Sequence, residues 1–185
     1  MRRERLRAMP DAAALAALYA VPHQHTRWAD HRLRVAVTAA VGRHMAPHGA
    51  SVADLSCGDG TIAREMATGG DLYLGDFAPG YDICGPIEET VFDIPYVDVF
   101  ICSETIEHLD DPDGVLAAIR TKARMLILST PDGEWDSNNP EHVWGWDAEA
   151  VEMILRAEGW VPAVHTTLDL RPAGFVYSYQ IWGCT

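Results

Sequence analysis

The chain has 185 residues, with 14 Lys and Arg against 27 Asp and Glu and a formal net charge of −13. That length suits one ordinary domain and leaves no room for a second core of normal size. Apolar residues at 48% and charged residues at 22% describe a folded globular protein. No apolar run approaches the roughly 18 residues of a membrane span, and the acidic balance argues against broad nucleic-acid binding.

The chain opens on Arg2, Arg3, Arg5 and Arg7, with no apolar signal-peptide core behind them. Four cysteines, at 57, 84, 102 and 184, lie too far apart in sequence for a zinc knuckle or a CxxC redox pair. Both features lead us to expect a reducing, cytoplasmic setting. Residues 1–45 carry eight Arg against three acids, and the rest of the chain six basic residues against 24 acids. A basic segment over 1–50, read as a helical lid, therefore precedes an acidic body over 51–185.

Asp11, behind Pro10, caps an Ala/Leu-rich helix over 12–20 that Pro22 stops. A loop with His23, His25 and Trp28 follows. Two histidines one residue apart do not define a metal site, so the pair reads as a surface loop, with a substrate lid as the alternative. From Asp30 to Met45, Leu33, Val37, Ala40 and Val41 recur at helical spacing. From Ser51 strands and helices alternate. Strands are expected over 52–55, 72–74, 81–84, 97–102 and 125–128, and helices over 61–68 and 112–121. Asp111 and Pro112 mark the start of the second of these helices. The stretch 132–146 carries Trp135, Trp144 and Trp146 and is long for a connection inside a compact domain. Its tryptophans read either as a wall over a binding site or as a satellite core at the sheet edge. Asp147 caps another helix, with Val151, Ile154 and Leu155 on one face. Strands over 161–170 and 175–182 flank Pro172 and Gly174 as an antiparallel hairpin. The pattern predicts an α/β fold: a doubly wound, mostly parallel sheet with a C-terminal antiparallel hairpin strand and N-terminal helices. Its ligand should sit at the carboxyl ends of the strands.

The most informative segment is Asp54-Leu55-Ser56-Cys57-Gly58-Asp59-Gly60-Thr61, where a strand feeds a two-glycine turn and then a helix. Glycines let a backbone approach a ligand closely, and a helix start offers free N–H donors. Gly58 to Ala63 also fits the dinucleotide pattern GxGxxG/A, with Asp76 16 residues beyond Gly60. A nicotinamide or flavin dinucleotide is thus one reading, although a full dehydrogenase would need a further half-domain.

Other residues carry a resemblance to a different family. Asp54 to Gly60 is similar to the DxGxGxG motif of class I S-adenosylmethionine-dependent methyltransferases, with Ser56 in place of the first glycine. The run Glu104-x-x-Glu107-His108-x-x-Asp111-Pro112, after a strand over 97–102, resembles the group that includes the ubiquinone-biosynthesis O-methyltransferases. Ser129-Thr130-Pro131, Glu141-His142 and Gly159-Trp160 resemble later parts of that group. The resemblance spans about residues 51–160 and implies a Rossmann-like fold, S-adenosylmethionine as cofactor and a small-molecule acceptor methylated at oxygen or nitrogen. It implies that Asp54, Ser56, Cys57, Gly58 and Gly60 hold the methionine end of the cofactor. Asp76, followed by Phe77, takes the ribose hydroxyls. Ile87 and Glu88 border the adenine, Pro86 standing where the family has an acid. Ser103 and Glu104 lie beside the methionine moiety, and Arg34 pairs with its carboxylate. His108 and His142 are the candidate catalytic bases, with a structural hydrogen bond as the alternative for each. Glu104 and Glu107 would orient a histidine or ligate a metal; no metal is assigned. Only about four residues separate Asp76 from Tyr81, so the crossover there should be a bare loop. A nucleic-acid methyltransferase or a non-catalytic binding module are the alternatives. The first lacks an Asn-Pro-Pro-Tyr/Phe-type motif after the fourth strand. Part of the negative charge should line the pocket of a cationic cofactor, with the arginines on helices covering it.

Overall fold

The computed structural model describes residues 1–24 and 27–185. In chain order the elements are β1 (Arg3–Arg5), α1 (Ala12–Leu18), α2 (Ala29–Met45), β2 (Val52–Asp54), α3 (Thr61–Met66), β3 (Leu72–Asp76), β4 (Ile83–Cys84), α4 (Ile87–Thr90), β5 (Val97–Ser103), α5 (Pro112–Arg120), β6 (Ala123–Pro131), β7 (Trp144–Trp146), α6 (Ala148–Ala157), β8 (Pro162–Asp169) and β9 (Ser178–Cys184). Among the described residues, seven strands form one sheet in the order β4-β3-β2-β5-β6-β9-β8. The first five in that order run parallel, and β9 is antiparallel to both its neighbours. No described helix is long and apolar enough to cross a membrane.

The central strands are apolar on both faces, as a sheet covered by helices on each side demands. Phe100, Cys102, Leu126 and Leu128 point to one side, where α5 adds Val115, Leu116 and Ile119 and α6 adds Val151 and Leu155. Val99, Ile101, Met125 and Ile127 point to the other, against Val35 and Ala39 of α2 and Ile62 and Met66 of α3. Each such buried side chain stabilises the fold by about 1.5–3 kcal/mol. Edge strand β8 alternates half-buried and exposed residues along its length, as one-sided packing requires. Asp11, Asp111 and Asp147 cap their helices through backbone N–H groups of Ala14, Gly114 and Ala150.

Three features depart from the sequence reading. Helix α3 stops at Met66, because Ala67 turns into the left-handed region at φ 46°. The last two strands do pair as a hairpin, but it is the later one, β9, that lies inside the sheet, between β6 and β8. The third is β1, a strand that no apolar pattern announces: it pairs antiparallel with β7, Glu4 opposite Gly145. Its arginines replace apolar side chains. Arg3 lies over the Trp144 and Trp146 rings, at 4.5 and 5.3 Å, and Arg2 over Trp135 at 4.1 Å. Arg3 also pairs with Asp113 and Arg5 with Asp110. These arginines are therefore not on covering helices, as expected, but on a strand clamping the tryptophan segment. The bare loop between β3 and β4 is present as the spacing requires, and Tyr81 Oη donates across it to the Gly58 carbonyl at 2.8 Å. Residues 1–50 thus divide three ways: β1 against β7, α1 at the surface, and α2 packed into the sheet.

Candidate active site

The sheet winds outward in both directions from β2 and β5, so the carboxyl ends of these strands border a crevice. A cavity of about 320 Å³ opens there. Its floor is Leu55, Ser56 and Gly58 after β2, Asp76 and Phe77 after β3, the 85–89 turn, and Glu104 and Thr105 after β5. Met9, Leu15, Tyr19 and His23 close it from above.

The glycine turn is shaped by Asp76. The Gly58 N–H donates to its Oδ2 at 2.7 Å and the Ala78 N–H to its Oδ1 at 2.8 Å. Each carboxylate oxygen keeps a second lone pair for a ligand hydroxyl. The left-handed positions of the turn fall on Gly58 (φ 54°) and Gly60 (φ 71°), not on Ser56. Serine in place of glycine is accordingly accommodated, and its Oγ bonds Thr105 Oγ1 at 2.6 Å. Asp54, Cys57, Gly60 and Ser103 do not line the cavity but support it from behind. Burial raises the Asp54 carboxyl to about 8, against the opposing pull of the Ser56 N–H bond. Burial, with Asp54 beside it, likewise pushes the Cys57 thiol up to about 12.

Glu104 ends β5 in the left-handed region at φ 52°, a conformation that a non-glycine residue adopts at a cost. Its N–H donates to the Ser129 carbonyl at 2.8 Å, and Ser129 Oγ donates to its Oε1 at 2.9 Å. Burial raises its carboxyl, and Arg34 opposes that rise. Arg34, fully buried, donates to Ser103 Oγ at 2.6 Å, with Nε 4.0 Å from Glu104 Oε1.

Arg34 and Glu104 also line a second cavity of about 570 Å³. Its other walls include Asp30 and His31 of α2, Asn139, Glu141 and His142, and the aromatic run Phe175, Tyr177 and Tyr179. The two cavities share His23, Glu104 and His108. His25, the partner of His23 in the sequence reading, lies outside the described residues.

His108 sits at this junction. Its Nδ1 is 3.1 Å from the Glu141 carbonyl, which can only accept, so Nδ1 carries the proton and Nε2 the lone pair. Burial and then the neighbouring His142 hold its pKa below the usual histidine range, leaving it neutral at pH 7. His142 packs edge-on against it, ring centroids 4.9 Å apart, with Nδ1 2.6 Å from Glu134 Oε2. Glu107, fully buried, accepts from Thr130 Oγ1 at 2.9 Å, and burial raises its carboxyl well above the usual range.

Of the residues singled out from sequence, Ser56, Gly58, Asp76, Phe77, Ile87, Glu88 and Glu104 meet in the first cavity, and Arg34 and His142 line the second. None of the three tryptophans lines either one. They form no separate satellite core: Trp146 belongs to the main core with the side chains of α5 and α6, Trp144 packs against it, and Trp135 lies under Arg2. The sequence reading missed Tyr19, which packs edge-on against Phe77 with ring centroids 5.5 Å apart, and the Tyr177–Tyr179 wall. The alternating aromatics of 175–179 were its available signal.

A family model described as a methyltransferase domain matches residues 23–168. No curated protein sequence matches the chain. The fold is similar to that of 1,6-didemethyltoxoflavin-N1-methyltransferase from Burkholderia thailandensis, solved with 1,6-didemethyltoxoflavin and S-adenosylhomocysteine (TM-score 0.69, 18% identity, covering 98% of this chain and 93% of that one). It is also similar to the N-methyltransferase NodS from Bradyrhizobium japonicum in complex with S-adenosylhomocysteine (0.70, 11%, 94% and 98%). A third likeness is to magnesium protoporphyrin IX methyltransferase from Synechocystis PCC 6803 with S-adenosylmethionine (0.62, 18%, 84% and 79%).

Proposed function

We propose that this chain, which belongs to the methyltransferase domain family and uses S-adenosylmethionine as its methyl donor, methylates an oxygen or nitrogen of a small molecule. The observation that carries this reading is the pair of cavities meeting at Glu104 and His108.

The first cavity fits the donor. Among the described residues Asp76, Glu88, Glu89 and Glu104 line it with no Lys or Arg, a field that favours a cation, and Arg34 stands beyond it in the wall of the second cavity. Phe77 and Ile87 offer apolar faces for a purine. When bound, S-adenosylmethionine supplies a methyl group made electrophilic by a sulfonium. Asp76 would accept the ribose hydroxyls, Glu88 would face the adenine, and Glu104 and Arg34 would hold the ammonium and carboxylate of the methionine end. Ser56 and Gly58 would shape the backbone around it, with Asp54, Cys57, Gly60 and Ser103 behind. Tyr19 and Leu15 of α1 would exclude water from above.

The second cavity, walled by Tyr177, Tyr179 and Phe175, suits a compact organic acceptor better than a nucleic-acid backbone. His108 and His142 direct their chemistry at its inner end and activate the acceptor. Proximity and orientation supply much of the rate in such a transfer, and activation by a positioned group adds about 10²–10⁴-fold.

The test is transfer of labelled methyl groups to a fractionated lysate, alongside calorimetry with S-adenosylhomocysteine. His108→Ala is expected to lower turnover by about 10²-fold or more with cofactor binding retained. Absence of binding by either S-adenosylmethionine or its demethylated product would sink the reading. Intact turnover in His108→Ala would remove His108 from it.

A further inference from the structure

We propose that Asp30 binds the acceptor as a cation, and that the acceptor is a primary or secondary amine carrying a flat aromatic group. Asp30 lines the second cavity and is only 8% exposed. Among the described residues its carboxylate accepts one long hydrogen bond, from Tyr179 Oη at 3.3 Å, and forms no ion pair. A buried carboxylate without a cation is costly. Its place in the first turn of α2, behind a helix start with no side-chain cap, favours the charged form. His31, next in sequence, supplies no cation, since burial and then Arg34 lower its pKa to about 4. An ammonium in the cavity compensates the charge that the fold leaves unpaired.

The position of Asp30 suits methyl transfer. Asp30 and Arg34 lie one helical turn apart on one face of α2, and Arg34 reaches Ser103 and Glu104 at the end of β5. A nitrogen held by Asp30 is therefore close to the groups that would hold the methionine end of the donor. Arg34 itself is turned toward those partners and toward the Tyr179 ring, whose centroid lies 5.8 Å from its guanidinium. Among the described residues of this wall, histidines aside, the acids Asp30, Glu104 and Glu141 outnumber the single base Arg34.

Rings complete the site. Trp28, His31, Tyr179, Tyr177 and His142 follow one another with centroids 5.3–6.0 Å apart. Such an arc offers π faces both to an ammonium and to an aromatic ring. This inference rests on reading the second cavity as the acceptor site, and it narrows the acceptor from oxygen or nitrogen to nitrogen. His108 Nε2, which carries the lone pair, takes one proton from the ammonium and so frees the nitrogen pair that accepts the methyl group. It then returns the proton to water.

Phenethylamine should bind in calorimetry to protein saturated with S-adenosylhomocysteine, and 2-phenylethanol, its uncharged counterpart, at least tenfold more weakly. Asp30→Asn should weaken phenethylamine binding at least tenfold, with the affinities for 2-phenylethanol and S-adenosylhomocysteine unchanged. Tyr177→Ala should weaken both aryl ligands. Alcohol binding as tight as amine binding, no amine binding to the loaded protein, or undiminished amine binding in Asp30→Asn overturns the inference. Undiminished binding of both ligands in Tyr177→Ala overturns its aromatic part. The comparison of amine with alcohol on the wild-type protein decides the question even where a variant does not fold. Protein that binds no S-adenosylhomocysteine would instead strike at the proposed function.

Discussion

Asp54 is almost wholly buried and accepts the Ser56 N–H, with its Oδ1 left without a partner. Its folded pKa near 8 stands above the unfolded value of about 3.9. Below that unfolded value both states hold the proton, and stability is at its fullest. Between about 4 and 8 the unfolded chain has lost the proton and the folded one has not, so rising pH favours unfolding. Asp54→Asn removes this slope, and the variant's melting temperature should gain on wild type as pH climbs from 4 to 8. Equal slopes in the two proteins would show that Asp54 ionises normally. Asp76 differs, since both its oxygens already hold backbone N–H groups. In Asp76→Asn an amide NH₂ must oppose one of these donors. Loss of a charged hydrogen bond at about 1.5–3 kcal/mol predicts cofactor binding about 10–100-fold weaker by calorimetry. Asp76 was legible from sequence because it ends a strand after a glycine turn. The partnering of Arg34 with Ser103 and Ser129 was not, because it depends on α2 crossing the ends of β5 and β6.

At the scale of elements, β1 is the least legible and one of the most consequential. Arg-Glu-Arg has no apolar period, and only the tryptophan rings it covers explain its place. By pairing with β7 it fixes one end of the 132–146 segment, whose interior carries Asn139, Glu141 and His142 to the second cavity, with Glu134 bonded behind His142. Removal of residues 1–7 should therefore raise KM for the acceptor while leaving S-adenosylhomocysteine affinity unchanged. A loss of cofactor affinity instead would place the effect of β1 on the first cavity. Helix α1 has no buried residue, yet it carries Leu15 to the roof of the first cavity, with Tyr19 just past its end. Such an element belongs to the low-stability end of a fold. Amide exchange in 12–18 should slow when S-adenosylhomocysteine binds, and unchanged exchange would rule out a covering role.

For the molecule as a whole, the alternation of strands and helices was enough to read the sheet and its winding, and the first cavity opens at the strand ends where the pattern expected a ligand. The order of the last two strands was not, although the polar alternation of Pro162–Asp169 beside the wholly buried Ser178–Cys184 was the available signal. The charge also resolves: the acids gather at strand ends, while much of the basic start is spent against tryptophan and aspartate. A ligand that binds only the folded state stabilises it by about 2.7 kcal/mol at 100-fold its Kd. At about 2–4 °C per kcal/mol for a chain of this size, S-adenosylhomocysteine should raise the melting temperature by about 5–10 °C. NAD should give no comparable rise.

The placement of β9 also bears on how the protein is made. Strand β8 leaves the ribosome before β9, yet it can join the sheet only across β9. Until then, the edge of β6 is an unpaired row of backbone groups flanked by Leu126, Ile127 and Leu128. Open apolar edges of this kind recruit other chains, and non-local pairings form slowly. Nascent chains paused before residue 178 should therefore depend on chaperones to stay soluble, and release of β9 should end that dependence.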